Sequence, residues 1–164
     1  MITLRRSAWL CLSPVIVGTA VLASAQQGDW TAYGGDPGGE RFSPLGAVRR
    51  ENVASLAVAW TFRTGDAFRP KTGRPTAHEA TALHIDDTLY LSTPLGRVIA
   101  LDPVSGKPRW TFDAQSPREK GYGDYASRGV SAWRRGADRR IFVATIDARL
   151  IALDARTGTP VRTF

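Results

Sequence analysis

The sequence RVIALDPVSG at residues 97–106 returns as RLIALDARTG at residues 149–158, an offset of 52 residues with six of the ten positions identical. Each copy has the pattern of a short apolar strand that ends in a tight turn. The turn has a chemical basis, because Asp102 and Asp154 can accept backbone N–H groups and the closing glycine can adopt a positive φ. The repeat therefore predicts that the chain is built from duplicated units.

Four short apolar strands surround each copy of the repeat. The first unit has predicted strands over 79–85, 88–92, 97–101 and 107–112, and the second over 129–133, 140–145, 149–153 and 160–164. Strands repeated at intervals of about 40–50 residues are typical of β-propeller blades. A β-sandwich with two similar hairpins is the alternative, but ten aligned positions argue against it. We expect the Trp110 ring to lie against the neighbouring blade, since a blade cannot bury its own faces.

Two units and a stray strand cannot close a ring, because propellers close with about 4–8 blades. We therefore expect this chain to be part of a longer one. Its predicted organisation is a signal peptide at 1–25, an extended lead-in at 26–54, a strand at 55–66 that closes the last blade, a loop at 67–77, a first blade at 78–113, a loop at 114–127 and a second, truncated blade at 128–164.

The first 25 residues have the pattern of a secretory signal peptide: a basic Arg5-Arg6 pair, an apolar run over 8–22 and a small-residue cleavage site at 23–25. A membrane anchor is the alternative, but a spanning helix needs about 20 apolar residues, and this run is shorter and contains Pro14. Its Cys11 is the only cysteine of the chain, so cleavage would leave no thiol. We expect a periplasmic protein without a membrane span after cleavage.

Charge and motifs exclude several function classes. The chain carries a formal charge of +7, and its basic pairs at 134–135 and 139–140 flank a turn, which favours a solvated hairpin tip over a nucleic-acid surface. With export predicted, no nucleic-acid partner is expected. His78 and His84 are the only histidines, so a histidine-built metal site is not predicted.

Glu79 and Arg128 are the candidate cofactor-binding residues. Each stands at the start of the first strand of a unit, 49 residues apart. First strands of blades line the central channel, so the two charges should project near its axis. An ordinary ion pair at strand ends is one interpretation. The other is a site for an anionic ligand, because arginine can hold a carboxylate with two parallel hydrogen bonds.

Several segments carry a resemblance to the pyrroloquinoline-quinone (PQQ) dependent dehydrogenases. These are WTAYGGD at 30–36, GERFSPL at 39–45, NVASL at 52–56, AW at 59–60, TGD at 64–66, HEAT at 78–81, TLYLST at 88–93 and SRGVS at 127–131. The turns at the ends of the two repeats also resemble the tryptophan-docking motif of that family.

The resemblance implies an eight-bladed propeller that holds PQQ at its axis, with Glu79 at the quinone edge and Arg128 on a PQQ carboxylate or quinone oxygen. It implies an alcohol, sugar or polyol substrate and a separate electron acceptor, a quinone or cytochrome c. It also implies calcium as a Lewis acid and a catalytic aspartate. We expect both the calcium ligands and that aspartate beyond residue 164, so no catalytic or metal residue is assigned within this chain.

The sequence departs from the family at the position before Arg128, where many alcohol-oxidising relatives have adjacent cysteines and this chain has Ser127. In that respect it resembles the glucose and polyol branch. Two alternatives to an enzyme stay open: a non-catalytic scaffold like the outer-membrane assembly lipoprotein with similar blades, and a degenerate remnant. A scaffold of that kind should have a lipid-anchor cysteine and lack the Glu79 and Arg128 pair.

Overall fold

The computed structural model describes residues 28–67 and 74–164, and these ranges are rich in β-structure. The predicted signal peptide, residues 1–25, lies outside them. Two short 3-10 helices occur at Val53–Ser55 and Arg118–Lys120. The strands are β1 (Thr76–Thr81), β2 (Leu83–Ile85), β3 (Thr88–Ser92), β4 (Arg97–Leu101), β5 (Pro108–Asp113), β6 (Tyr125–Gly129), β7 (Ser131–Arg135), β8 (Asp138–Ala144) and β9 (Leu150–Asp154).

The strands form two meanders at the places where the repeat predicts blades. Strands β2, β3, β4 and β5 make one antiparallel sheet, here called the first blade. Strands β7, β8 and β9 make a second antiparallel sheet, here called the second blade. In both sheets every strand pairs with its neighbour in sequence, because turns of a few residues join them.

The innermost strand of each unit changes partner along its length, which the sequence pattern did not predict. The continuous strands expected over 79–85 and 129–133 are each interrupted, at Ala82 and Val130. Before the interruption, β1 and β6 pair in parallel with each other, and after it β2 and β7 pair within their own blades. Their backbone groups thereby find hydrogen-bond partners in both directions. At the other end of the second blade, Pro160 forms an isolated bridge to Leu153.

The main hydrophobic core lies between the two blades. Leu83, Val98 and Ala100 of the first blade pack in one cluster with Ile141 and Leu153 of the second, and each is at most 2% exposed. Burial of apolar area at this boundary is the main force that holds the blades together. The expectation that neighbouring blades must stack to bury their faces is therefore met in the structure.

Trp110 at the outer strand of the first blade docks on the turn of the second. Its Nε1–H donates to the carbonyl oxygen of Ala155 at 3.0 Å. The ring lies over Gly158, whose φ is +71°. The structure thus places the Trp110 ring against the neighbouring blade, as the repeat predicts.

Trp60 makes the same contact one unit earlier. Its Nε1–H donates to the carbonyl oxygen of Pro103 at 3.0 Å, and its ring covers Gly106. Residues 55–66, the predicted closing strand, contain no strand in the described part of the chain. Their predicted role as the closing strand of a last blade stays a prediction, which the docked position of Trp60 supports.

The lead-in is tied to the inner edge of the first blade. Trp30 and His84 form an antiparallel bridge with N···O distances of 2.7 and 3.0 Å. The Nδ1 atom of His84 lies 2.9 Å from the carbonyl oxygen of Gly28, and Asp29 accepts from the backbone N–H of Asp86 at 3.2 Å. Within residues 28–67 and 74–164, no helix has the length and apolar character needed to cross a membrane.

Candidate cofactor site

The two predicted site residues meet in the structure. Glu79 lies on β1 and Arg128 on β6, and the parallel pairing of these strands brings an Arg128 Nη1 atom within 2.6 Å of a Glu79 Oε2 atom. Residues 49 positions apart in sequence therefore occupy one site, because the inner strands of adjacent blades lie side by side.

An irregularity in the strand pairing sits at this ion pair. His78 pairs with Ser127 and Thr81 pairs with Gly129, so two residues of β1 face one residue of β6 between those points. The two residues are Glu79 and Ala80, and the one that they face is Arg128. Bulges of this kind redirect side chains and are frequent beside functional sites. Here the bulge lets Glu79 turn towards the guanidinium of the adjacent strand.

The pair is accessible to a ligand. The Arg128 side chain is 83% exposed and that of Glu79 is 37% exposed. An ion pair at that level of exposure contributes little to stability. A guanidinium has five N–H donors in a planar fork. A single carboxylate oxygen cannot accept hydrogen bonds from all five. Arg128 can therefore hold a second planar anion while it contacts Glu79.

A hydroxyl pair anchors the strand beneath Arg128. The Oγ atoms of Ser127 and Ser92 lie 2.6 Å apart, and Ser92 is fully buried in β3 of the first blade. This contact joins β6 to the first blade one residue before Arg128. The Ser127 hydroxyl therefore makes a structural contact in this chain, at the position where the family resemblance implies cysteine in many alcohol-oxidising relatives.

Arg128 also lines a cavity of about 600 Å³ between the lead-in and the second blade. Its walls are mostly apolar and small. They comprise Thr31, Ala32, Tyr33 and Pro37 on one side and Gly129, Val130, Ser131, Ala132, Phe142, Ala144 and Leu150 on the other. The arginine is the only charged residue among these wall residues of the described chain, so an anionic group entering the cavity would meet it.

No cluster of three or more His, Cys, Asp or Glu side chains suitable for a metal ion occurs in the described ranges, 28–67 and 74–164. The sequence predicts no metal ligand and no catalytic residue within this chain. Calcium and its ligands therefore remain expectations that come from the family resemblance.

The family model described as PQQ, glucose/ethanol/alcohol dehydrogenase, beta-propeller domain, matches residues 30–164. The chain belongs to this family of quinoprotein dehydrogenases. The β-propeller prediction and the suspected family are thereby confirmed. The match begins at Trp30, the residue that bridges to His84, and includes both members of the Glu79–Arg128 pair.

Individual relatives of the quinoprotein family agree. The chain is 38% identical over 147 residues to the quinoprotein glucose dehydrogenase of Escherichia coli (strain K12), covering 83% of this chain and 18% of that protein. It is 35% identical over 157 residues to the 1-butanol dehydrogenase (cytochrome c) of Thauera butanivorans, covering 94% of this chain and 21% of that protein. The chain thus spans about a fifth of the length of these relatives.

Solved structures of the quinoprotein family share the fold. The quinohemoprotein alcohol dehydrogenase of Comamonas testosteroni superposes with a TM-score of 0.70 at 33% identity, covering 81% of this chain and 18% of that one. A europium-containing methanol dehydrogenase superposes with a TM-score of 0.67 at 27% identity, covering 82% and 22%. Relatives are therefore named for both alcohol and glucose oxidation.

Three residues support the site or the blade boundary through contacts that the sequence pattern did not predict: Ser92, Trp60 and Arg97. Ser92 had no distinguishing pattern. Trp60 could have been found, because Trp-Thr-Phe occurs at both 60–62 and 110–112. Arg97 opens the ten-residue repeat, and nothing in the repeat indicates that its side chain crosses the blade boundary.

Proposed function

We propose that the protein carrying this chain is a PQQ-dependent oxidoreductase that oxidises a hydroxyl group of an alcohol, a glucose-like sugar or a polyol. The observation that carries this proposal is the exposed Glu79–Arg128 pair on the inner strands of two adjacent blades. The proposed setting is the periplasm, with electrons passed to a separate quinone or cytochrome c acceptor.

The residues present suit the cofactor chemically. PQQ is a planar tricarboxylate with quinone oxygens, and the exposed guanidinium of Arg128 offers planar donors to such a group. The carboxylate of Glu79 can accept a hydrogen bond from an N–H edge of the ligand and keeps the guanidinium oriented. When bound, PQQ supplies the oxidising quinone that takes up hydride from the hydroxyl-bearing carbon.

The role of this chain is therefore binding and orientation. Arg128 would pair with a PQQ carboxylate or donate a hydrogen bond to a quinone oxygen, while Glu79 would keep the guanidinium oriented. The apolar cavity walls beside Arg128 can contact the planar faces of a bound ligand. Calcium as a Lewis acid and an aspartate as proton acceptor are assigned to none of the described residues.

The test is PQQ affinity, measured by fluorescence titration of the dialysed protein. Arg128→Ala should weaken binding about 10–100-fold, the effect of losing a hydrogen bond to a charged group. Arg128→Lys should recover part of the loss, because it restores the charge without the fork. Arg156→Ala removes an exposed arginine on a distant turn and is the matched control. Equal affinities for Arg128→Ala and Arg156→Ala would refute the assignment.

A second test concerns these 164 residues alone. On this proposal they support no turnover, because the catalytic aspartate and metal ligands are expected in other parts of the protein. The purified chain would be assayed with PQQ, calcium, glucose or ethanol, and a dye acceptor. Dye reduction that depends on PQQ would contradict this part of the proposal.

A further inference from the structure

The second turn of each blade has the same hydrogen bonds. The backbone N–H of Thr93 donates to the carbonyl of Arg97 at 2.8 Å, and the Arg97 N–H donates to the Thr93 hydroxyl at 3.1 Å. In the second blade, Thr145 and Arg149 make the same two contacts at 2.9 and 3.1 Å. The two arginines therefore start from equivalent backbone positions, 52 residues apart.

Both arginines cross the blade boundary to equivalent carbonyls. Arg97 donates from Nη2 to the carbonyl of Thr64, and Arg149 donates from Nη2 to the carbonyl of Ala114 at 2.7 Å. Thr64 and Ala114 each lie four residues after a docked tryptophan. Each boundary thus has two contacts, a tryptophan that packs forward on the next blade and an arginine that reaches back.

The carboxylate that pairs with the arginine comes from different places at the two boundaries. Arg97 pairs with Asp66, which is 5% exposed and belongs to the segment before the first blade. Arg149 pairs with Asp147 of its own turn at 2.7 Å. The residue equivalent to Asp66 in the later unit is Ser116, which donates to Asp147 at 3.1 Å. The residue equivalent to Asp147 in the earlier turn is Leu95.

Asp66 and Ser116 lie at the starts of the two connections that lead to β1 and β6, the strands of the site. The carbonyl of Asp66 accepts from the Thr76 hydroxyl at 2.6 Å, so the start and the end of the connection to β1 are joined beside Arg97. Ser116 begins the equivalent connection to β6. Strand β1 carries Glu79 and β6 carries Arg128, so Arg97 lies at the anchor of the first of these strands, and Arg149 lies at the start of the connection to the second.

We infer that Arg97 and Arg149 are positioning residues for the Glu79–Arg128 site, and that each needs one carboxylate, which either side of the blade boundary can supply. The carboxylates are the more buried partners, with Asp66 5% and Asp147 12% exposed, and each lies against a guanidinium because an unpaired buried charge is costly. At each boundary the carboxylate needs only to lie within ion-pair distance of the arginine, so it can come from the preceding segment, as Asp66 does, or from the turn itself, as Asp147 does. The positioning role rests on the proposed PQQ function. The inference that either side of the blade boundary can supply the carboxylate, here called the interchange of carboxylates, does not.

The experiment moves the carboxylate of the first boundary to the place that it has in the second. The variants are Asp66→Ser, Leu95→Asp and the double variant that combines them. Hydrogen–deuterium exchange of the peptide 74–81 measures the order of β1 directly, and PQQ titration of the complete protein measures the site. Asp66→Ser should speed exchange and weaken PQQ binding by about tenfold, the scale on which a supporting contact alters a distant site. The double variant should restore both measurements.

The mirror change in the second blade, Asp147→Leu with Ser116→Asp, repeats the test at β6 if Asp66→Ser does not fold. The inference is overturned if exchange over 74–81 is unchanged in Asp66→Ser, or if the double variant behaves like the single one. A wild-type protein that does not bind PQQ would sink the proposed function, and the exchange data would still decide the interchange of carboxylates.

Discussion

A β-carbon on Gly158 would lie 2.5 Å from Cε3 of the Trp110 ring, closer than any side-chain carbon can approach. The glycine is thus required twice, by its φ of +71° and by the tryptophan that covers it. The two residues belong to different blades, so this contact measures how tightly the blades are joined.

Gly158→Ala should destabilise the protein by about 2–4 kcal/mol, because overpacking adds to the cost of a left-handed backbone. Gly136→Ala is the matched control. Its φ is +58°, but a Cβ there would meet nothing within 4 Å, so only about 1 kcal/mol is expected. Urea unfolding of both variants separates the clash from the backbone strain. Equal losses would show that Trp110 moves aside without cost.

Trp110 and Tyr90 donate to the same carbonyl oxygen, that of Ala155, at 3.0 and 3.1 Å. Burial raises the pKa of the Tyr90 phenol, so it stays a donor at neutral pH. Trp110→Phe or Tyr90→Phe alone should cost about 1 kcal/mol, because one donor remains. The double variant should cost about 1 kcal/mol more than the sum, since the carbonyl loses both donors. Strict additivity in a double-mutant cycle would contradict this.

The Ser92–Ser127 hydroxyl pair predicts an opposite form of non-additivity. Ser127→Ala leaves the buried Ser92 hydroxyl without this partner and should cost about 1–3 kcal/mol. The double change of both serines to alanine should cost less than that single change, because no buried hydroxyl is left unpaired. Thermal unfolding of the two single variants and the double variant provides the test. A double variant less stable than either single one would argue against the hydroxyl contact.

Asp147 should make stability depend on pH in the acid range. The Thr145 hydroxyl and the Arg149 guanidinium lower the pKa of its carboxyl. A carboxyl whose pKa is lower in the folded state contributes stability that is fully present above its unfolded pKa of about 4. This stabilisation is lost as the pH falls below that value. Asp147→Asn should therefore be less stable than wild type at pH 7, and the difference should narrow below about pH 4. Melting temperatures measured from pH 7 to pH 2 would show this.

The control for that titration is Asp87→Asn, on an exposed turn where asparagine tolerates the positive φ. The difference in melting temperature between Asp87→Asn and wild type should stay constant from pH 7 to pH 2. A difference between Asp147→Asn and wild type that stays constant down to pH 2 would mean that the carboxylate charge of Asp147 does not contribute.

The blade strands and turns could be predicted from local sequence. Strands β3 and β4 and the turn at Asp102 follow from apolar alternation and from aspartate and glycine at fixed spacing, which act over a few residues. The repeat at 149–158 then supplied the second blade. The break at Ala82 could not be predicted in this way, because it depends on β1 pairing with a strand from the neighbouring unit.

The amino-acid sequence by itself determined the repeated blade, the family and the identity of Glu79 and Arg128 as candidates, because these depend on short patterns and their spacing. Only the tertiary structure decided that the two side chains meet at a bulge and which carboxylate each boundary arginine uses. Those features depend on the register between strands far apart in the chain, and many registers are compatible with the same local pattern.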